Sequence, residues 1–493
     1  VARRRRVKYT LGLDVGTQST KALLVEFETG RVAARAARSH GLIEGLPAGA
    51  AEQHPDTWVQ AAAEATREVL AAAPGAEVVG VGVSGQQHGL VVLDAADRPV
   101  RAAKLWCDTS TADEAADLAR ELGRPVPTGY TASKVRWLAR REPLAWARVR
   151  TVLLPHDWLG LVLTGERAME AGDASGTGWF DVHTRRFDLA AAARIDPRLP
   201  ECLPRLADPL APHAAVGTVT RVAAERFGLA AGTTVSLGGG DNMMSAIGAG
   251  AVRPGVVVAS LGTSGTVFAH SDTPVVDPAG LVAPFCASAG GWLPLVCVMN
   301  LTGVAEEVAT AFGRGHAELT ELARAVPPGG DGLLWLPYLV GERVPDLPRA
   351  SGTLLGMRHG SLAPGRLYRA ALEGTALNLA WAGQRLADLG VAIASLRIVG
   401  GAARNELWVE ILAAAFGVEV EVLAESETAA LGAALQAQWC VRRAAGEGCS
   451  LADVVLPHVR IAARRRAPDE LTARYAELGE RFRQAVAELH GTR

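Results

Sequence analysis

The sequence predicts an α/β fold built from two related halves. Three observations carry that expectation. At 493 residues the chain is too long for one ordinary core, so more than one domain is expected. β-rich runs alternate with Ala-rich helical stretches. One local pattern also occurs twice, about 245 residues apart, which is the mark of an internal repeat.

The first copy is the strand "YTLGLDV", the turn Gly16-Thr17-Gln18-Ser19 and the strand "KALLVEF". Glycine and hydroxyl residues between β-rich runs predict a hairpin. A helix follows, entered at Pro55 or Asp56 and continued by Ala-rich turns. "EVVGVGVSG" and "GLVVLDAADRPV" are further strands, and residues 111–170 are mostly helical. The second copy is "GVVVASL", the turn Gly262-Thr263-Ser264-Gly265 and "TVFAH". The Gly-rich segment "GGGDNMMSAIGAGAVRPG" separates the halves, with the boundary placed near 248, giving 1–248 and 249–493. Helices dominate 300–326 and 364–390, and the strand "SLRIVGG" feeds a helix near Arg404. The C-terminus, from about 464, reads as a charged, solvent-facing helix.

The gross numbers exclude several classes of function. The formal net charge is −2, which favours neither nucleic acid nor an anionic membrane as partner. Arg3–Arg6 is the one basic block and reads as a solvated tail. Six widely spaced cysteines with no C-x-x-C suggest neither a disulfide framework nor a zinc site. No signal peptide and no apolar run of membrane-spanning length is recognised. A cytoplasmic protein is expected.

The stretch Gly80-x-Gly82-x-x-Gly85 matches the dinucleotide-binding fingerprint. That fingerprint must open a helix, yet "QQHGLVVLD" predicts a turn into another strand. Close packing of a buried strand explains the glycines better. Gln86, Gln87 and His88 follow, polar side chains at a strand end that can donate to and accept from hydroxyls. A satisfied polar turn would read the same way.

Asp14 ends an apolar strand, an expensive place for a carboxylate unless it serves a cation or a hydrogen-bond network. The hairpin Gly16–Thr20 can present backbone N–H groups to phosphate oxygens, and so can its echo around Gly262, Thr263 and Thr266. Asp241 and Asn242 stand after three glycines at a helix start. Asp241 there is either an N-cap or a base able to take a proton from a hydroxyl. "IVGGAARNELW" is either a plain strand-to-helix turn or a glycine shelf for a base and ribose at Gly400, Gly401 and Asn405.

Taken in order, these segments resemble the FGGY family of carbohydrate kinases, within the actin-like, ribonuclease H-like ATPase superfamily that includes hexokinase. "GLDVGTQSTK" looks like the first phosphate motif, "SLGTSGTV" the second and "IVGGAARNELW" the adenosine motif. "ETAALGAA" looks like the connecting helix of the second half. The likeness spans residues 9–440. Within the family, "SGQQHG" and "LWCDTST" are most similar to xylulokinases, with Gln87 where methionine is usual.

The resemblance implies two domains around a catalytic cleft and transfer of phosphate from ATP to D-xylulose. It implies Asp241 as the base and Gln87, His88 and Asn242 as sugar contacts. Asp14 is implied in the Mg·ATP site, holding Mg²⁺ through water. Gly16, Thr17, Gln18, Ser19, Thr20, Gly262, Thr263 and Thr266 are implied for phosphates, and Gly400, Gly401 and Asn405 for adenosine. Trp106, Asp108 and Trp335 look like cleft-lining positions. A homodimer is common in the family. Gln87 keeps open a kinase for another ketose or polyol, such as ribulose, arabitol or gluconate. A nucleotide-driven switch without catalysis is disfavoured by the presence of both Asp14 and Asp241.

Overall fold

The computed structural model describes residues 7–491, so Arg3–Arg6 lies outside the described residues. Two seven-stranded mixed sheets carry the fold. The first runs Ala215–Thr218, Thr234–Ser236, Glu77–Gly85, Lys8–Val15, Ser19–Glu26, Val32–Ser39, with Gly239–Gly240 also paired to Glu77–Gly85. The second runs Ala283–Cys286, Trp292–Val298, Gly265–Ala269, Gly255–Leu261, Ile393–Val399, Glu419–Leu423, Ile461–Arg465.

The two sheets share one plan. Lys8–Val15 and Gly255–Leu261 each form a hairpin with the next strand, extended by a third antiparallel strand. On its other side each has two parallel neighbours. The weak sequence repeat is therefore a repeat of topology, the ribonuclease H-like pattern of actin-like ATPases. Central strands are buried on both faces, and Thr10–Val15 is a continuous buried run accordingly. "GLVVLDAADRPV" contributes only Val91–Leu93, paired with Thr151–Leu153 outside the main sheet. The stretch 111–170 carries four helices, Ala112–Leu122, Thr131–Arg141, Pro143–Trp146 and Pro155–Thr164.

One helix ties the halves together. Thr428–Ala444 lies between Glu419–Leu423 and Ile461–Arg465 of the second sheet, yet it packs on the first. A Cβ on Gly12 or Gly82 would collide with the carbonyls of Ala430 and Ala433, and one on Gly80 would press on Val441 and Ala437. The fingerprint glycines are thus where the sheet admits this helix, and Gly85 lies against the backbone of His156. Gly432 and Gly248 bring the same helix against Asp241–Gly248, each glycine meeting the other helix's backbone.

The C-terminal helix Asp469–His490 is not simply solvent-facing. Tyr475, Leu478, Phe482, Ala485 and Val486 are buried in the second core. Their spacing of three and four residues makes one apolar stripe, hidden in the sequence by the charges between. Among the described residues no helix is long and apolar enough to cross a membrane.

Candidate active site

Three strands of the first sheet end side by side. Val15 pairs with Gly85, and Gly85 with Gly240, in parallel register. Gly16, Gln86 and Asp241 therefore leave the sheet together, at the carboxyl ends of parallel strands, where α/β sheets bind ligands. The register explains why segments some 230 residues apart in sequence share one site.

Asp14 sits one residue below this rim. Ser84 Oγ donates to its Oδ1 at 2.8 Å. Burial pushes the Asp14 carboxyl up; Lys21 and Ser84 pull it down, and Glu427 adds to the upward push. Lys21 itself is paired with Glu427 of the second half at 2.5 Å. Asp241 opens the helix Asp241–Gly248. Burial, then the nearby Asp14 and Asp173, push its carboxyl up to about 7, against hydrogen bonds from Asn242. The site thus holds three carboxyls, those of Asp14, Asp173 and Asp241, whose charges repel.

Asn242 links this acid to both halves. Its Nδ2 donates to Gln87 Oε1 at 2.6 Å and to Asp241 Oδ1 at 3.0 Å, while Thr266 Oγ1 of the second hairpin donates to its Oδ1 at 3.0 Å. The side chain of Asn242 is therefore engaged by protein. Among the described residues Gln87 Nε2 has no hydrogen-bond partner.

The structure splits the triplet Gln86-Gln87-His88. Gln86 accepts from Thr17 Oγ1 at 2.9 Å and donates to Gln53 at 3.0 Å, and Gln53 Nε2 donates to the Thr17 carbonyl at 2.6 Å. Gln86 thus braces the first hairpin. Trp106 Nε1 donates to Thr17 Oγ1 at 3.1 Å, so Trp106 lies beside that hairpin. Gln87 turns to Asn242, and His88 turns to Asp173, its Nδ1 lying 3.1 Å from Asp173 Oδ1. Asp173 is fully buried, and His156 Nδ1 contacts its other oxygen at 3.1 Å. Burial raises the Asp173 carboxyl, but hydrogen bonds from His156 and His88 outweigh it and hold it below the usual range.

On the other side, Gly16 N donates to Ser19 O at 3.0 Å and Gly262 N to Ser264 O at 3.1 Å, closing two similar turns. Gly400 packs on the second turn, where a Cβ would meet the Leu261 backbone. A cavity of about 660 Å³ is lined by Gly400, Gly401, Arg404, Lys21 and Glu427.

Five sequence expectations change. Asn242, expected as a sugar contact, spends its side chain on Gln87, Asp241 and Thr266. Thr20 is fully buried with its hydroxyl on His40 Nε2 at 3.0 Å, so that hydroxyl is not free for phosphate. Asn405 caps its helix, accepting from Trp408 N at 3.2 Å and donating to Thr320 at 3.0 Å. Asp108 is fully buried and accepts from Ala51 N, Lys104 Nζ and Ser110, which makes it a loop brace rather than a cleft wall. Trp335 belongs to the strand Leu334–Leu336 and packs against the second core. Asp173, His156 and Ser84 went unnoticed in the sequence. The only signal, for Asp173, was the pair of acids in "MEAGDASG", a polar interruption of an otherwise small and apolar stretch.

Comparison with known proteins agrees with this geometry. The model for the N-terminal domain of the FGGY family of carbohydrate kinases matches residues 9–248, and that for its C-terminal domain matches residues 257–440. A xylulose kinase of Haemophilus influenzae is 39% identical over 456 residues, covering 89% of this chain and 91% of that protein. One of Streptomyces coelicolor is 41% identical over 442 residues, 87% of each chain. The crystal structure of xylulose kinase from Rhodospirillum rubrum superposes with a TM-score of 0.88 at 30% identity, covering 98% of this chain and 99% of that one. With both family domains present in order around the paired hairpins, the chain belongs to the FGGY family of carbohydrate kinases.

Proposed function

We propose that this kinase transfers the γ-phosphoryl group of ATP to the 5-hydroxyl of D-xylulose, giving D-xylulose 5-phosphate and ADP. The observation that carries the reading is Asp241, set at the rim of three parallel strands with its carboxyl pushed up to about 7. A group with that affinity for protons suits a general base at neutral pH. Relatives named xylulose kinase, over most of both chains, support the choice of sugar.

In this reading residues 1–248 hold the sugar and carry the first phosphate hairpin, and residues 249–493 carry the second phosphate hairpin and the adenosine shelf. Asp241 takes the proton of the sugar hydroxyl as its oxygen forms the new bond to phosphorus and the bond to ADP breaks in line. Phosphoryl transfer depends mostly on positioning and charge stabilisation. Gln87, His88 and Trp106 orient the sugar, with Asn242 holding Gln87. The backbones of Gly16–Thr20 and Gly262–Thr266 hold phosphates, and Gly400 and Gly401 support adenosine.

The residues also fit Mg²⁺. Among the described residues no cluster of three His, Cys, Asp or Glu could hold a metal alone. That suits an ion carried by phosphate oxygens and water, with one carboxylate nearby. Asp14 would be that carboxylate, acting through water. Bound there, Mg²⁺ would neutralise phosphate charge. The cytoplasm, with its ATP supply, is the compartment proposed for the reaction.

A second reading is kept by one residue. Gln87 stands where xylulokinases usually have methionine, so another ketose or polyol is the competing substrate. Release of ADP measured across D-xylulose, ribulose, arabitol and gluconate decides between them. The expected result is a kcat/KM for D-xylulose at least about 10-fold above the others, a difference of one well-placed hydrogen bond. A higher value for any other sugar overturns the assignment.

The acid at Asp241 also sets a pH dependence. Only the carboxylate accepts a proton, so kcat/KM for the sugar rises with pH and bends near 7. A rate that is flat between pH 6 and 8 removes Asp241 from the role.

A further inference from the structure

His88 has φ of +64°, in the left-handed region that residues other than glycine seldom occupy. Three contacts hold it there. Asp173 Oδ1 accepts from its backbone N–H at 3.3 Å, Thr131 Oγ1 donates to its carbonyl at 3.1 Å, and Asp173 Oδ1 lies 3.1 Å from ring Nδ1. The ring lies over Gly176, where a Cβ would overlap it, and packs against Tyr130 and Phe285. One fully buried carboxylate therefore bonds the backbone and faces the ring of a strained residue. Asp173 is anchored in turn by His156, whose Nε2 is 2.9 Å from Asp157.

Nδ1 makes no well-aligned hydrogen bond to Asp173 Oδ1, but the negative charge of the carboxylate 3.1 Å away draws the ring proton to this nearer nitrogen. In the neutral ring Nε2 is then the bare nitrogen. Among the described residues no hydrogen bond engages it.

We propose that Asp173 is a positioning residue that presents His88 Nε2 to the sugar as a hydrogen-bond acceptor. Its partner on the sugar is then a hydroxyl, which donates, and not the ketone oxygen, which can only accept. The inference rests on the cleft being the sugar site.

The test uses the full-length enzyme and its Asp173→Ala and Asp173→Asn variants. KM for sugar and for ATP, kcat, and the proton–nitrogen NMR signals of the histidine rings are measured. Wild-type His88 is expected with Nδ1 protonated and Nε2 bare. Asp173→Ala raises the sugar KM at least about 10-fold and moves the ATP KM less than about 2-fold. Asp173→Asn keeps an oxygen for both N–H groups of His88 and turns its amide toward His156. It restores the sugar KM to within about 3-fold of wild type. Wild-type His88 protonated on Nε2 alone overturns the proposal, as does an equal rise in both KM values. If Asp173→Ala does not fold, the wild-type NMR signals and Asp173→Asn decide. A wild-type enzyme that phosphorylates none of the sugars overturns the substrate assignment instead, and the ring signals still report the tautomer.

Discussion

Replacing Asp241 with asparagine lowers kcat for sugar phosphorylation by at least about 100-fold, the low end of a general base's contribution. Asparagine keeps the size and the hydrogen bonds to Asn242 but cannot take a proton. The same variant melts above wild type at pH 8. In the folded enzyme the Asp241 carboxyl is pushed up to about 7 by burial, Asp14 and Asp173. In an unfolded chain it titrates near about 4. The folded state thus disfavours the charge, and the penalty is full above pH 7 and absent below about pH 4. The gain from asparagine should shrink as pH falls through that window. A coupled ADP assay and melting curves at pH 8 and 5 check both halves. Near-normal turnover by a folded Asp241→Asn enzyme removes Asp241 as base, and melting below wild type at pH 8 contradicts the electrostatics.

Gly82→Val lowers the melting temperature by roughly 5–10 °C or prevents folding, because its side chain meets a helix backbone that cannot step aside. Overpacking against movable side chains costs about 1–3 kcal/mol, and a carbonyl in a buried helix yields less than a side chain does. Gly41→Val is the control, since nothing lies near a Cβ there; it melts as wild type does. If the glycines bound a dinucleotide, Gly82→Val would melt normally and NAD would raise the melting temperature of wild type. The expectation is a thermal shift with Mg·ATP and none with NAD.

Local chemistry made much of this legible in the sequence. A turn of Gly-Thr-x-Ser between β-rich runs is readable wherever it occurs, so both hairpins and the repeat could be found. Asp14 and Asp241 could be singled out because each stands beside glycines at the end of an apolar run. Partners fixed by pairing between distant strands were not readable. Nothing near Asp173 in the chain announces His88 and His156, and Ser84 meets Asp14 only through the register of two strands. A polar residue type does not say whether its side chain faces the cleft or turns inward. Thr20 and Asp108 satisfy strands and loops instead, a choice made by the fold and invisible to residue type.

The helix Thr428–Ala444 has a consequence for how the chain is made. The strands of the first sheet are complete once Gly240 has emerged, but the helix that covers one face of them comes roughly 200 residues later. At ribosomal rates that is an interval of about 10–40 s during which an apolar sheet face stands open. The first half cannot reach its final state as it leaves the ribosome. It must wait, exposed to self-association or held by a chaperone, until the second half delivers its missing layer.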